Sequence, residues 1–296
     1  MLAVPLTVLT QLPLVIAALG WGTQAAIFGV IAGTGALLAL SPSIALYFTL
    51  FLTPVAVIGS HLIGLARPGA TGLTSARTTD WFPLGAVLTV VGCVVTVGAI
   101  LICVLTGFDP SAISPDMTKA IAREYASTMG EVDPSISSDQ LIEMITPAIT
   151  VTLRILPFAF TMTWTLVGAF NLGLGMWVTA KSGNLLRPRE DLAAFDLPTF
   201  VSPVLIVALG VAFLGGLPGA IAAAVAGAMA GLLLLAGLAV LHTITRPLSF
   251  RLPLLVLVYL FLGLCGLPLI ILGILEPYLR LRRRIPPPGP AKPTRS

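Results

Sequence analysis

Charge is what this chain has least of. Of its 296 residues only 9% are Asp, Glu, Lys or Arg, while 57% are hydrophobic. Soluble globular domains carry about 25% charged residues, so the coat that keeps an ordinary monomer in water is missing. A water-soluble monomer is excluded, and so is a disordered chain. Cysteine is scarce too: Cys93, Cys103 and Cys265 cannot build the framework of a disulfide-stapled secreted module. They have no metal-ligand spacing, and His61 and His242 are isolated from carboxylates, so no metal site is expected. No Gly-x-x-x-x-Gly-Lys-Ser/Thr loop is present, which removes ATP hydrolysis by that route. No acid pair sits inside an apolar block where acid–base chemistry could be shielded from water. Neither the regular arginines of a voltage sensor nor the buried acids of a proton pump occur. The expectation is a protein that is not an enzyme and holds no cofactor.

What remains is apolar sequence, with a mean hydropathy of +1.03. The first charged side chain is Arg67, far beyond the roughly 20 residues that cross a hydrocarbon core. Gly20-Trp21-Gly22-Thr23-Gln24 and Ser41-Pro42-Ser43 divide this run into spans at 2–20, 23–40 and 44–64. Further blocks lie at 84–106, 147–180, 200–215, 218–243 and 252–276. Gly215 to Gly219 supplies a turn, and Gly266-Leu267-Pro268 a kink in the last block. Continuous apolar blocks satisfy their backbones as helices and do not alternate as barrel strands would. The fold class is therefore all-α: a polytopic transmembrane bundle of about eight spans with short connections. Residues 1–284 form one domain, and 285–296 read as a disordered, Pro-rich tail.

One sizeable loop, 107–146, carries seven acids (Asp109, Asp116, Glu124, Glu131, Asp133, Asp139 and Glu143) against Lys119 and Arg123. Ser114-Pro115-Asp116 reads as the start of one short helix. Ser137 with Gln140 forms a capping box for a second, running toward the membrane at Ile145. The loop is either a solvated surface or a lid or docking element.

Basic residues favour the cytoplasmic side, and cluster at 67–77, at Lys181, Arg187 and Arg189, at Arg246 and Arg251, and in the tail from Arg280 to Arg295. Eight alternating spans reconcile the first three clusters and put the acidic loop outside, but they strand the tail on the same outer side. A re-entrant or broken last block, or a miscounted span, resolves this. Met1 lacks a basic flank and resembles no signal peptide, so a further helix ahead of it is expected. The setting is the bacterial inner membrane, crossed several times, with the lipid bilayer as first partner and no nucleic acid.

Ionisable or amide side chains within spans are the functional candidates. Arg154, two turns into its block, either snorkels or binds an anion or substrate. Asn171 is either interhelical glue or pathway lining. Glu276 reads as an interfacial partner of Arg280, and His61, His242, Gln11, Thr23 and Gln24 as interfacial groups. Gly219, Ala223, Gly227 and Gly231 recur every four residues and let another backbone approach closely, within the bundle or from a second membrane subunit. Gly29 and Gly33 make a weaker version. The run Leu279 to Arg284 is a basic membrane anchor.

Several strings resemble the YybS-like bacterial membrane proteins, a family of unknown function. They are Gln11-Leu12-Pro13-Leu14 with Gly20-Trp21-Gly22, Trp81-Phe82-Pro83-Leu84-Gly85, and Asn171 with Trp177. Leu186-Arg187-Pro188, Asp191-Leu192, Leu197-Pro198, Gly237 to His242, Tyr259 and Tyr278 to Arg284 follow in order. Members of that family carry one more hydrophobic segment ahead of the Gln-Leu-Pro-Leu position, which agrees with the missing helix. The resemblance brings no catalytic residues. Two functions stay open: a small-solute transport component resembling the substrate-binding subunits of energy-coupling importers, or a non-transporting scaffold or envelope-assembly factor.

Overall fold

The computed structural model describes residues 7–68, 79–107, 115–130, 138–188 and 195–284. Among the described residues each of the eight apolar blocks contains helix, and six helices are long and apolar enough to cross a membrane; residues 2–6 of the first block lie outside the described residues. The first block appears as α1 (Leu12–Trp21), about 15 Å long at 1.5 Å per residue. Gly22, at φ 93°, turns the chain into α2 (Thr23–Leu40). Ser41 then accepts from the Ile44 amide and Pro42 occupies the first turn of α3 (Pro42–Tyr47), an N-terminus in which proline's missing donor costs nothing. A π-helical turn (Phe48–Leu52) carries α3 into α4 (Thr53–Gly64). A short antiparallel ribbon, β1 (Ala66–Pro68) with β2 (Thr79–Trp81), pairs Arg67 with Asp80 and leads to α5 (Leu84–Thr106).

Beyond the acidic segment the structure departs from expectation. Helix α6 (Pro115–Gly130) forms, with its small-residue face, Thr118, Ala122 and Ala126, buried and α7 as its packing partner. The second loop helix is not separate. It is continuous with the following span as α7, Ser138–Lys181, while Ser114 and Ser137 lie outside the described residues. Pro147 and Pro157 sit inside α7. Threonine hydroxyls nearby donate to carbonyls of the preceding turn, as Thr146 to Ile142 O and Thr161 to Pro157 O.

The carboxy-terminal third is α8 (Val201–Ala212), α9 (Gly216–Ile244), α10 (Arg251–Leu260) and α11 (Leu262–Leu279). The last block breaks at Phe261, not at Gly266 to Pro268. Phe261 leaves helical geometry, and its carbonyl accepts from both Leu264 and Cys265, so it opens α11 as a cap. Two anchors separate the halves: Tyr259 reaches His242, while Gly273 packs against the Leu233 carbonyl. Of the alternatives for the last block, a broken helix is what forms.

Apolar burial cannot drive helix association between spans bathed in lipid; close packing must do so. Helix α9 shows how. Gly227 lies against the Phe158 carbonyl and Gly231 lies 3.1 Å (at a Cβ position) from the Met162 carbonyl, which sets α7 alongside and parallel. Gly219 meets the Ala212 carbonyl of α8, and Gly237 that of Leu269 in α11. Ala223 is half-buried. Gly219, Gly227, Gly231 and Gly237 are therefore packed within the chain, Gly227 and Gly231 against α7. By contrast α2 buries only Ala26 and leaves Phe28 71% exposed, as a lipid-facing helix would.

Two core clusters result. One joins α1, α4, α5 and α7 through Val15, Phe51, Val55, Val91 and Leu172; the other joins α8 to α9 through Val201, Leu205, Met229 and Leu233. The connections carrying Arg67, Lys181 and Arg187 collect at one end of the bundle, here the basic end. There the Phe82 amide donates to Leu65 O, and Arg187 reaches the end of α4 at Ile63 O and the entry to α5 at Phe82 O. Gly107 and the α8–α9 turn lie at the opposite, acidic end with the front of α7.

Candidate functional site

The sequence-derived candidates do not form one site. Arg154 is exposed on α7, lines none of the bundle's three principal cavities, and makes no hydrogen bond or ion pair among the described residues. Asn171 is fully buried. Its Nδ2 donates to Val8 O and to Val167 O, each at 2.8 Å, which ties the approach to α1 onto the last third of α7. That is the glue reading. Gln11 is not interfacial but buried beside it, with Oε1 lacking a partner and lying 3.9 Å from a Cβ position at Gly168. His61 and Thr23 do sit at a helix end, 2.9 Å apart.

Two basic residues that read as loop or tail charges are clasps instead. Arg187 is buried and donates from Nη1 to Phe82 O at 2.7 Å, with its guanidinium 6.0 Å from the centre of the Trp81 ring. Glu276 pairs with Arg282, not Arg280. Arg282 Nε donates at 2.9 Å, and the same carboxylate accepts from the Leu281 and Arg282 amides. Arg282 also reaches Asp196 and the Phe195 carbonyl. Part of the basic anchor is therefore pinned to the bundle; residues 285–296 lie outside the described residues.

The concave features lie between helices. A cavity of about 580 Å³ sits toward the acidic end, walled by α5, α7, α9 and the π-helical turn. Tyr47, Phe51 and Phe160 form one side, Ile102 and Leu156 others, and Ala220 and Ala224 the floor. Its aromatic wall is rigid: Tyr47 stacks on Phe51 at 5.1 Å, and Trp164 meets Phe51 edge-on at 5.3 Å. Such geometries add to simple burial. Polar groups are few. The Thr161 hydroxyl donates to Ala224 O at 2.6 Å, which leaves the Tyr47 hydroxyl as the group best suited to orient a guest. A volume of this size with little polarity suits a small, mainly apolar molecule.

A second cavity of about 640 Å³ lies toward the basic end between α5, α7, α9 and α10. Its body is apolar, and His242, Arg246, Arg251 and Tyr259 stand at its edge. Sequence reading missed both cavities, because they arise where helices distant in the chain fail to close on each other. No group of His, Cys, Asp and Glu side chains that could hold a metal is present among the described residues. Comparison with protein-family models, with curated proteins and with solved structures found no match.

Proposed function

We propose that this chain is a membrane-embedded small-solute binding subunit of a transport system in the bacterial inner membrane. The observation that carries this reading is the aromatic-walled cavity at the acidic end. It is of ligand size, lies between helices, and is lined by rigid side chains as small-molecule sites are. By the positive-inside tendency, that end faces away from the cytoplasm, where an importer meets its solute. With no phosphate loop in this sequence, any energy drawn from ATP through such a loop would come from a partner. The likeness to substrate-binding subunits of energy-coupling importers is one of architecture, while that to the YybS-like proteins rests on the short sequence strings quoted above.

The test is native mass spectrometry of the full chain purified from its membrane. A retained small molecule, lost from an Ala220→Trp variant that fills the cavity, supports the reading. Purification without any small molecule, and with envelope-assembly proteins only, defeats it. That outcome would favour a scaffold, for which the outward Ile121 and Tyr125 of α6 are the natural contact.

A further inference from the structure

The cavity at the basic end combines two environments that one molecule can satisfy together. Leu84, Val87 and Leu88 of α5 and Leu166, Ala169 and Phe170 of α7 give it an apolar wall. At its edge stand Arg246 and Arg251, which flank the α9–α10 connection, and His242, whose Nε2 shares a hydrogen bond with the Tyr259 hydroxyl at 2.9 Å. No carboxylate lines it among the described residues. Arg251 Nε is moreover a buried donor without a hydrogen-bond partner. Buried donors are almost always satisfied, so an orphan at a cavity wall marks a missing acceptor. Arginine favours the bidentate geometry of phosphate and carboxylate.

We propose that this cavity binds an anionic amphiphile, with its phosphate or carboxylate at Arg246 and Arg251 and its apolar chain along α5 and α7. The proposal stands on different residues from the solute site and does not depend on it. Depth supports the fit. Leu84 is the first residue of α5, and Arg246 and Arg251 lie beyond the end of α9, so cation and apolar wall are stacked as headgroup and acyl chain are in a leaflet. Basic pockets between helices on the cytoplasmic side recognise anionic headgroups through this layering. The chemistry has two sources, a phospholipid of the bilayer or a water-borne fatty acid, and the experiment separates them.

The full chain, in phosphatidylcholine nanodiscs doped with phosphatidylglycerol or with palmitate, is examined by native mass spectrometry after partial release of lipid. Retention of phosphatidylglycerol over phosphatidylcholine is expected and identifies the bilayer as source. Retention of palmitate alone supports the site with a water-borne ligand. At about 1 kcal/mol for each cation, Arg246→Gln with Arg251→Gln should weaken retention about 30-fold, while the double Lys variant keeps most of the selectivity. If the Gln variant does not fold, raising the salt concentration on the unmodified protein decides instead. Selective release of the anionic adduct supports the site; equal retention of both phospholipids with no retained palmitate, or release indifferent to salt, overturns it.

Discussion

Arg282 and Glu276 hold each other at 2.9 Å across the end of α11, both largely shielded from solvent. The carboxylate also caps the Leu281 and Arg282 amides, and the guanidinium extends to Asp196. One ion pair thus joins the end of the bundle to the segment before α8. Removing one partner of a buried pair leaves the other charged and unpaired. Arg282→Ala should lower unfolding stability in detergent by about 3 kcal/mol. Arg280→Ala, which leaves this pair intact, should stay within about 0.5 kcal/mol. Equal effects would show that the clasp contributes nothing.

Glycines of the neighbouring helices α8 and α9 should separate into two classes by what stands opposite them. Gly227 faces the Phe158 carbonyl with no room for a methyl group, whereas Gly210 of α8 has open space around it. Gly227→Ala should destabilise by about 1–3 kcal/mol. Gly210→Ala should be neutral or stabilising by up to about 1 kcal/mol, through helix propensity alone. Thermal unfolding of the two variants side by side checks the contrast.

Asn171→Leu removes both donations from Nδ2 while roughly keeping volume. Hydrogen bonds of this kind contribute about 0.6–2 kcal/mol within membranes, so a loss in that range is expected. Exchange of backbone amides at the amino-terminal end of α1 should accelerate before the rest of α7 responds. Unchanged exchange there would contradict the tie to Val8.

Arg187→Met keeps the bulk of the side chain and deletes its donors. Hydrogen bonds from charged donors contribute about 1.5–3 kcal/mol, and here they bridge the two ends of the α4–α5 connection, at Ile63 O and Phe82 O. Limited proteolysis between α4 and α5 should speed up markedly. Arg187→Lys should restore protection only in part, since a single ammonium lacks the planar fork.

Composition made the fold class legible, because 9% charge leaves little besides helices in lipid. Turn residues located most helix ends, as at Gly22 and Pro42, because these signals act within a few residues. Continuity was not legible. Pro147 is a breaker in isolation, yet the helix from Ser138 runs through it; the break at Phe261 depends on Tyr259 and Gly273 binding different parts of α9. The site was less legible still. Glu276 lies closer in sequence to Arg280 than to Arg282, and only the left-handed turn at Arg280 (φ 48°) decides between them. Cavities leave no mark in any local string. Arg154 and Asn171 stood out because they are polar, and polarity alone does not say which way a side chain faces.

Helix α7 has 44 residues and so spans about 66 Å, more than twice a hydrocarbon core of about 30 Å. Its front therefore stands clear of the bilayer with α6 strapped along it. A bundle this small normally vanishes inside its detergent micelle in electron micrographs. This protruding pair of helices gives the molecule a visible handle, and an antibody fragment raised against it would fix particle orientation without touching either cavity.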